Sequence, residues 1–173
     1  KDLKALGKVD LILITHGHGD HIGDLPELAK MTGATVVANF ELANNLVSLG
    51  FLDGAKALGM NKGGTVAPLG PGIKVHMVAA DHSSSVDLVA IKPDTTGVRH
   101  ISGGAPVGYV LEFENGFKIY NTGDTDVFGD MALIGKFFKP DLALVCIGGH
   151  FTMDPEHASY ALRELIRPKE VIP

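Results

Sequence analysis

The sequence has one cysteine, no run of lysine and arginine, and no apolar stretch long enough to span a bilayer. The lone Cys146 cannot close an internal disulfide. Set in the apolar run Leu142-Ala143-Leu144-Val145-Cys146-Ile147, it reads as a small buried core residue. With a net charge of −5 and no basic cluster, the chain advertises neither a nucleic-acid groove nor a strongly acidic tail. A nuclease would need a basic surface that this composition does not offer, so no nucleic-acid partner is expected. No membrane span or signal peptide is visible, and a cytoplasmic setting is the default expectation. Low-complexity segments and short repeats are also missing.

What is present suits an α/β protein. The 173 residues are 45% hydrophobic and 20% charged, with 22 glycines for tight connections. That is enough chain for a single domain over 1–173 with a proper core. Residue 1 is Lys, and the chain stops at Val171-Ile172-Pro173 just as a strand opens. The sequence is therefore read as a fragment, incomplete at both ends.

Strands and helices alternate along the chain. Lys1 to Leu6 reads as a helix tail capped by Gly7, and Val9 to Ile14 as a strand covered on both faces. Asp24 and Pro26 open a helix running to about Met31, which Gly33 ends. Thr35 to Ala38 is a short strand, followed by a helix from Phe40 to Leu49 that Gly50 stops. Residues 52–64 resist assignment. Thr65 to Pro68 and Ile73 to Ala79 read as strands around the turn Gly70-Pro71-Gly72. His76, alone within the second of these, reads as structural or solvent-facing. Ala80 to Pro106 is a long Ser- and Gly-rich connection, either functional or disordered. A hairpin follows, Val107 to Glu114 and Phe117 to Asn121, with Asn115-Gly116 expected to take positive φ at both positions. Asp130 to Phe138 is a helix and Asp141 to Ile147 a buried strand. The last helix opens at Asp154-Pro155-Glu156, with Ala158, Ala161, Leu162, Leu165 and Ile166 as its inner stripe.

The chemistry concentrates in Thr15-His16-Gly17-His18-Gly19-Asp20-His21, directly after the first strand. Three histidines and an aspartate within six residues, on a loop relaxed by two glycines, offer the nitrogen and oxygen donors that zinc and its neighbours prefer. The alternative is a polar loop whose histidines face water. Asp81-His82, Gly123-Asp124 and Gly149-His150 also fall at strand ends, where sites assemble in layered α/β domains. The residues alone leave open whether His82 is a ligand or an exposed loop residue. They equally leave Asp124 as either a turn residue or part of the site. Thr15 and Thr125 are candidates to orient ligands or plain strand-end threonines. His150 either faces a substrate, supports a ligand or is a buried structural histidine. Ser83-Ser84-Ser85 lacks the strand–turn–helix setting of a catalytic serine.

Thr15 to His21 resembles the HxHxDH signature of the metallo-β-lactamase superfamily of metal-dependent hydrolases. Gly123-Asp124-Thr125 is similar to its bridging-aspartate motif, and His82 stands where its intervening histidine is expected. Gly148-Gly149-His150-Phe151-Thr152-Met153-Asp154-Pro155-Glu156 resembles a subgroup of bacterial metal-dependent hydrolases related to ascorbate-6-phosphate lactonase and N-acylphosphatidylethanolamine phospholipase D. The resemblance implies a metallo-β-lactamase-like αββα sandwich, truncated at both ends. It implies that His16, His18 and His82 hold a first metal, that Asp20 and His21 belong to a second, and that Asp124 bridges the two. A further histidine is implied beyond the strand that opens at Val171.

The expected function is hydrolysis of an ester-type bond, in a phosphodiester or a lactone, by hydroxide on one or two divalent ions. Zinc is favoured, with Mn, Fe or Ni also compatible with His/Asp ligands. Asp20 is the candidate catalytic residue, orienting the nucleophile or taking its proton. Asp124, where the β-lactamases of the superfamily carry cysteine, argues against β-lactam hydrolysis. The competing reading is a non-catalytic metal-binding or sensor module of the same fold. A homo-oligomer, in which another chain supplies a missing edge, is a further possibility.

Overall fold

A computed structural model describes residues 2–92, 96–97 and 99–173. The chain divides into two compact units, the first formed by residues 1–61 and 83–105, the second by 62–82 and 106–173. It passes between them at 61/62, 82/83 and 105/106.

The first unit opens with a single 3₁₀ turn, Leu3–Leu6, closed by Gly7 at φ +69°. Strand β1 is Leu11–Leu13, shorter than its apolar run and half-buried rather than covered on both faces. The run overshoots the ladder: Ile14 still bonds Val37 and is buried, but it has left the regular pairing. The His-rich segment includes a short turn of helix, α1 (Gly19–Ile22), which sequence periodicity did not reveal. Helix α2 (Leu25–Thr32) follows the Asp24-x-Pro26 start and ends at Gly33 in the left-handed conformation. Then come β2 (Thr35–Asn39), α3 (Phe40–Ser48) and β3 (Ala57–Met60), the last within the stretch left unassigned. Helix α3 forms where it does because Asn39 Oδ1 accepts the Leu42 N–H at 2.9 Å, and because Leu42, Ala43 and Leu46 make one buried stripe.

The chain then enters the second unit with β4 (Thr65–Val66) and β5 (Ile73–Ala79). It returns to the first unit for β6 (Ser85–Asp87), α4 (Leu88–Ile91) and β7 (His100–Ser102). The connection 80–106 thus holds two paired strands and a helical turn, too short for their periodicity to register in sequence. Residues 93–95 and 98 of that connection lie outside the described residues, as does Lys1. The remainder belongs to the second unit: β8 (Val107–Phe113), β9 (Lys118–Asn121), α5 (Met131–Phe138), β10 (Leu142–Leu144), α6 (Pro155–Tyr160) and β11 (Glu170–Ile172). From Ala161 to Ile166 the last helix widens to π geometry, yet Ala158, Ala161 and Ile166 remain its buried face as expected.

In the first unit β1, β2 and β3 pair in that order, all parallel, and β6 pairs antiparallel with β7. Its core gathers Ile14, Ile22, Val36, Leu42, Leu46 and Val86. The second unit has one mixed sheet, ordered β11-β10-β9-β8-β5-β4, with a core that includes Val110, Tyr120, Met131, Met153 and Ile166. The hairpin β8–β9 closes differently from the expected two-residue turn. Gly116 has φ +81° but Asn115 is not among the positive-φ residues, and Gly116 N–H reaches back to Phe113 O at 2.8 Å. Asn115 instead accepts the Phe117 N–H on its side chain at 3.0 Å, so only the glycine needs left-handed backbone. Among the described residues no helix is long and apolar enough to cross a membrane.

Candidate metal centre

The C-terminal end of β1 delivers the first group of candidate ligands. His16 is fully buried, and its Nε2 lies 2.9 Å from Nδ1 of His18. His16 also groups with His21, with ring centroids 4.1 Å apart. Gly17, between His16 and His18, lets this loop lie directly against β6. A Cβ there would stand 3.1 Å from the Ser85 carbonyl and from the Val86 side chain. Thr15 Oγ1 contacts His16 Nδ1 at 3.0 Å and His21 Nδ1 at 3.5 Å. A hydroxyl held against Nδ1 leaves His16 Nε2 as the nitrogen that faces His18. Asp20 is placed differently: its side chain is 79% exposed, with Oδ2 3.5 Å from His21 Nε2.

Two serines brace this loop, a role that sequence reasoning missed. Ser84 Oγ accepts the Gly17 N–H at 3.2 Å, and Ser83 Oγ contacts His18 Nε2 at 3.4 Å. The available signal was Gly17 itself, since a glycine between two clustered histidines marks a close neighbour.

In the second unit the candidates are His82 and Asp124. His82 Nε2 lies 3.9 Å from Asp124 Oδ2, and both side chains are largely buried. Asp124 follows β9 through buried Thr122 and through Gly123, whose φ is +62° and whose N–H donates to Asn121 Oδ1 at 2.8 Å. Cys146 is half-buried beside this turn and not deep in the core. Its Sγ approaches Thr125 O at 3.5 Å and accepts from Thr122 Oγ1 at 3.8 Å.

The other histidines separate clearly. His150 is exposed, which removes its reading as a buried structural residue, and its ring packs edge-on to Phe151 with centroids 4.3 Å apart. His157 sits at the start of α6 with Nδ1 3.1 Å from Asp126 Oδ1, a pairing of two half-exposed side chains. His76 is structural. Its Nδ1 bonds Thr65 Oγ1 at 2.8 Å, and burial holds its pKa below the ordinary value despite nearby Glu112.

Comparison with known proteins gives the family of the chain. All of residues 1–173 match the model of the beta-lactamase superfamily domain, and the chain belongs to that family. A protein named as a metal-dependent hydrolase from Cupriavidus necator is 53% identical over 175 residues, covering 100% of this chain and 60% of the relative. The chain thus spans about 60% of the length of the curated relatives it matches. Among solved structures it is similar to Igni18, described as a metallo hydrolase from the archaeon Ignicoccus hospitalis. The TM-score is 0.79 at 36% identity, over 96% of this chain and 63% of that one. A metallo-β-lactamase fold protein of Bacillus subtilis shares the fold, with a TM-score of 0.67 at 14% identity over 98% of this chain and 66% of that one.

Proposed function

We propose that this chain is a metal-dependent hydrolase that cleaves an ester-type bond, a phosphodiester or a lactone, in a small-molecule substrate. In this reading residues 1–173 work as one metallo-hydrolase domain in a cytoplasmic setting. His16, His18 and His82 hold one ion, Asp20 and His21 belong to a second, and Asp124 bridges them. Zinc is the favoured ion.

The observation that carries the proposal is the 2.9 Å approach of His16 Nε2 to His18 Nδ1, with His16 fully buried. On tetrahedral zinc, with bonds of about 2.0–2.1 Å, two ligand nitrogens stand about 3.3 Å apart. The pair is therefore within a few tenths of an ångström of ligand spacing. A buried imidazole pair aimed nitrogen to nitrogen is costly unless a proton or a cation sits between them.

A divalent ion bound by these donors supplies Lewis acidity, lowering the pKa of water toward about 7 and polarising a carbonyl or phosphoryl oxygen. The protein does the rest. Thr15 fixes the His16 ring through Nδ1. The exposed carboxylate of Asp20 orients the attacking water or takes its proton. His150, exposed on the loop after β10, meets the substrate in this reading.

The test combines metal analysis with turnover. The purified protein is expected to carry one or two ions and to hydrolyse bis-p-nitrophenyl phosphate or a simple lactone in a chelator-sensitive way. His16→Ala should abolish both properties. Metal content indifferent to His16→Ala overturns the ligand assignment. Bound metal without turnover of any ester-type substrate points to a sensor module instead.

A further inference from the structure

Strand polarity in the second unit brings the candidate residues to one edge of its sheet. β5 and β9 both pair antiparallel with β8, and β10 runs parallel to β9. The segments leaving β5, β9 and β10 therefore all emerge on the same side. The first carries Asp81-His82, the second Asp124-Thr125-Asp126, and the third the turn from Gly148 to Met153.

We infer that Thr125 is a positioning residue for the metal centre, joining these three segments so that His82 and Asp124 stand at ligand spacing before an ion arrives. The inference rests on the reading of His82 and Asp124 as ligands. Thr125 is fully buried, and its hydroxyl is used twice. Oγ1 accepts the Asp81 N–H at 2.9 Å and donates to Asp126 O at 2.6 Å. The Asp126 N–H returns to Asp81 O at 2.9 Å. Both backbone groups of Asp81 are thereby fixed, and His82 is the next residue. Thr125 O accepts the Met153 N–H at 2.9 Å, and Met153 is itself fully buried. One residue beside Asp124 thus holds the segment carrying His82 on one side and the Gly148–Met153 turn on the other. The product of this bonding is the 3.9 Å separation between His82 Nε2 and Asp124 Oδ2.

Valine at 125 would keep the shape of threonine and remove the hydroxyl, leaving the Asp81 N–H and the Asp126 carbonyl without the group that now joins them. Groups that orient metal ligands typically change affinity by about 10–100-fold when removed. The experiment measures Zn²⁺ affinity by chelator competition for wild type, Thr125→Val and Thr125→Ser, with thermal melts to report folding. Amide hydrogen exchange of Asp81 is followed in the metal-free protein. The expected result is a loss of about 10–100-fold for Thr125→Val, with Thr125→Ser close to wild type. In the metal-free wild type the Asp81 amide should exchange slowly, and in Thr125→Val it should exchange fast.

Folded Thr125→Val that binds Zn²⁺ like wild type overturns the inference. So does fast exchange at Asp81 in the metal-free wild type, a readout that needs no folded variant. His82→Ala and Asp124→Ala separate the two levels of the argument. If they weaken binding while Thr125→Val does not, only the role of Thr125 falls. If they leave binding untouched, the ligand assignment falls and this inference with it.

Discussion

Gly135, in the middle of α5, lies so close to the end of the last helix that a Cβ on it would stand 2.5 Å from the carbonyl oxygens of both Leu165 and Ile166. A glycine inside a helix costs about 1 kcal/mol relative to alanine. Here that cost allows two helices to meet backbone against side-chain-free backbone. Gly135→Ala should therefore destabilise the protein in spite of its better helix propensity. Overpacking against main-chain atoms, which cannot rotate away, costs about 1–3 kcal/mol. We expect a net loss of about 1–2 kcal/mol in urea unfolding after the propensity gain. An alanine variant as stable as wild type would show that the helix ends are free to separate.

Tyr120 offers the opposite outcome. Its ring is fully buried, and burial pushes the phenol pKa well above its ordinary value. Its hydroxyl finds no hydrogen-bond partner among the described residues. An unpaired buried hydroxyl carries a desolvation cost without a bond to offset it. Tyr120→Phe should accordingly be neutral or stabilising, by up to about 1 kcal/mol, as read from the denaturation midpoint. A clear loss of stability would reveal a partner for the hydroxyl.

Asn39 should be intolerant of change. Its amide nitrogen donates to Gly103 O at 2.8 Å and to Ala105 O at 2.9 Å, while its oxygen caps α3. Asn39→Ala removes all three bonds at a buried position, and the expected cost is about 2–3 kcal/mol. Asn39→Asp keeps the cap but sets a carboxylate against two carbonyl oxygens, and it should be the worse of the two. Equal stability of wild type and Asn39→Asp would contradict the donor assignment.

His76 sets a pH dependence whose sign follows from its burial. The folded protein holds its pKa below the ordinary 6.5, chiefly through desolvation, with Glu112 acting in the other direction. Above that ordinary value the ring is neutral in both states and contributes nothing. As pH falls through it, the unfolded chain takes up the proton first, so stability is lost until the folded pKa is reached. Between about pH 7 and about pH 5, wild type should lose stability more steeply than His76→Gln. Parallel profiles for the two proteins would remove His76 as the source.

Much of this was legible in the residues, and the exceptions share physical causes. The helix between Asp24 and Gly33 was readable because a proline at its start and a left-handed glycine at its end act locally, although Asp24 makes no side-chain capping bond to it. Val9 to Ile14 and Asp141 to Ile147 were over-read as strands because apolar character marks burial, whereas a ladder also needs a neighbour in register. Asn115-Gly116 marked the hairpin correctly but not its turn, because an asparagine side chain can serve a turn without positive φ. The cluster from His16 to His21 stood out because imidazole and carboxylate at that spacing are rare by chance. Ser83 and Ser84 did not, and Thr125 stood only as one of two readings, because hydroxyls act here through partners that are distant in sequence.

The tie between Met153 and Thr125 has a practical meaning for how such a protein can diversify. Between Ile147 and Met153 the chain forms a small cassette, pinned at its far end by one buried side chain and one amide. Its exposed members, His150 and Phe151, can be exchanged for others without disturbing the residues behind them. Variation can be confined to those exposed positions, while the bond between Met153 and Thr125 is inherited unchanged.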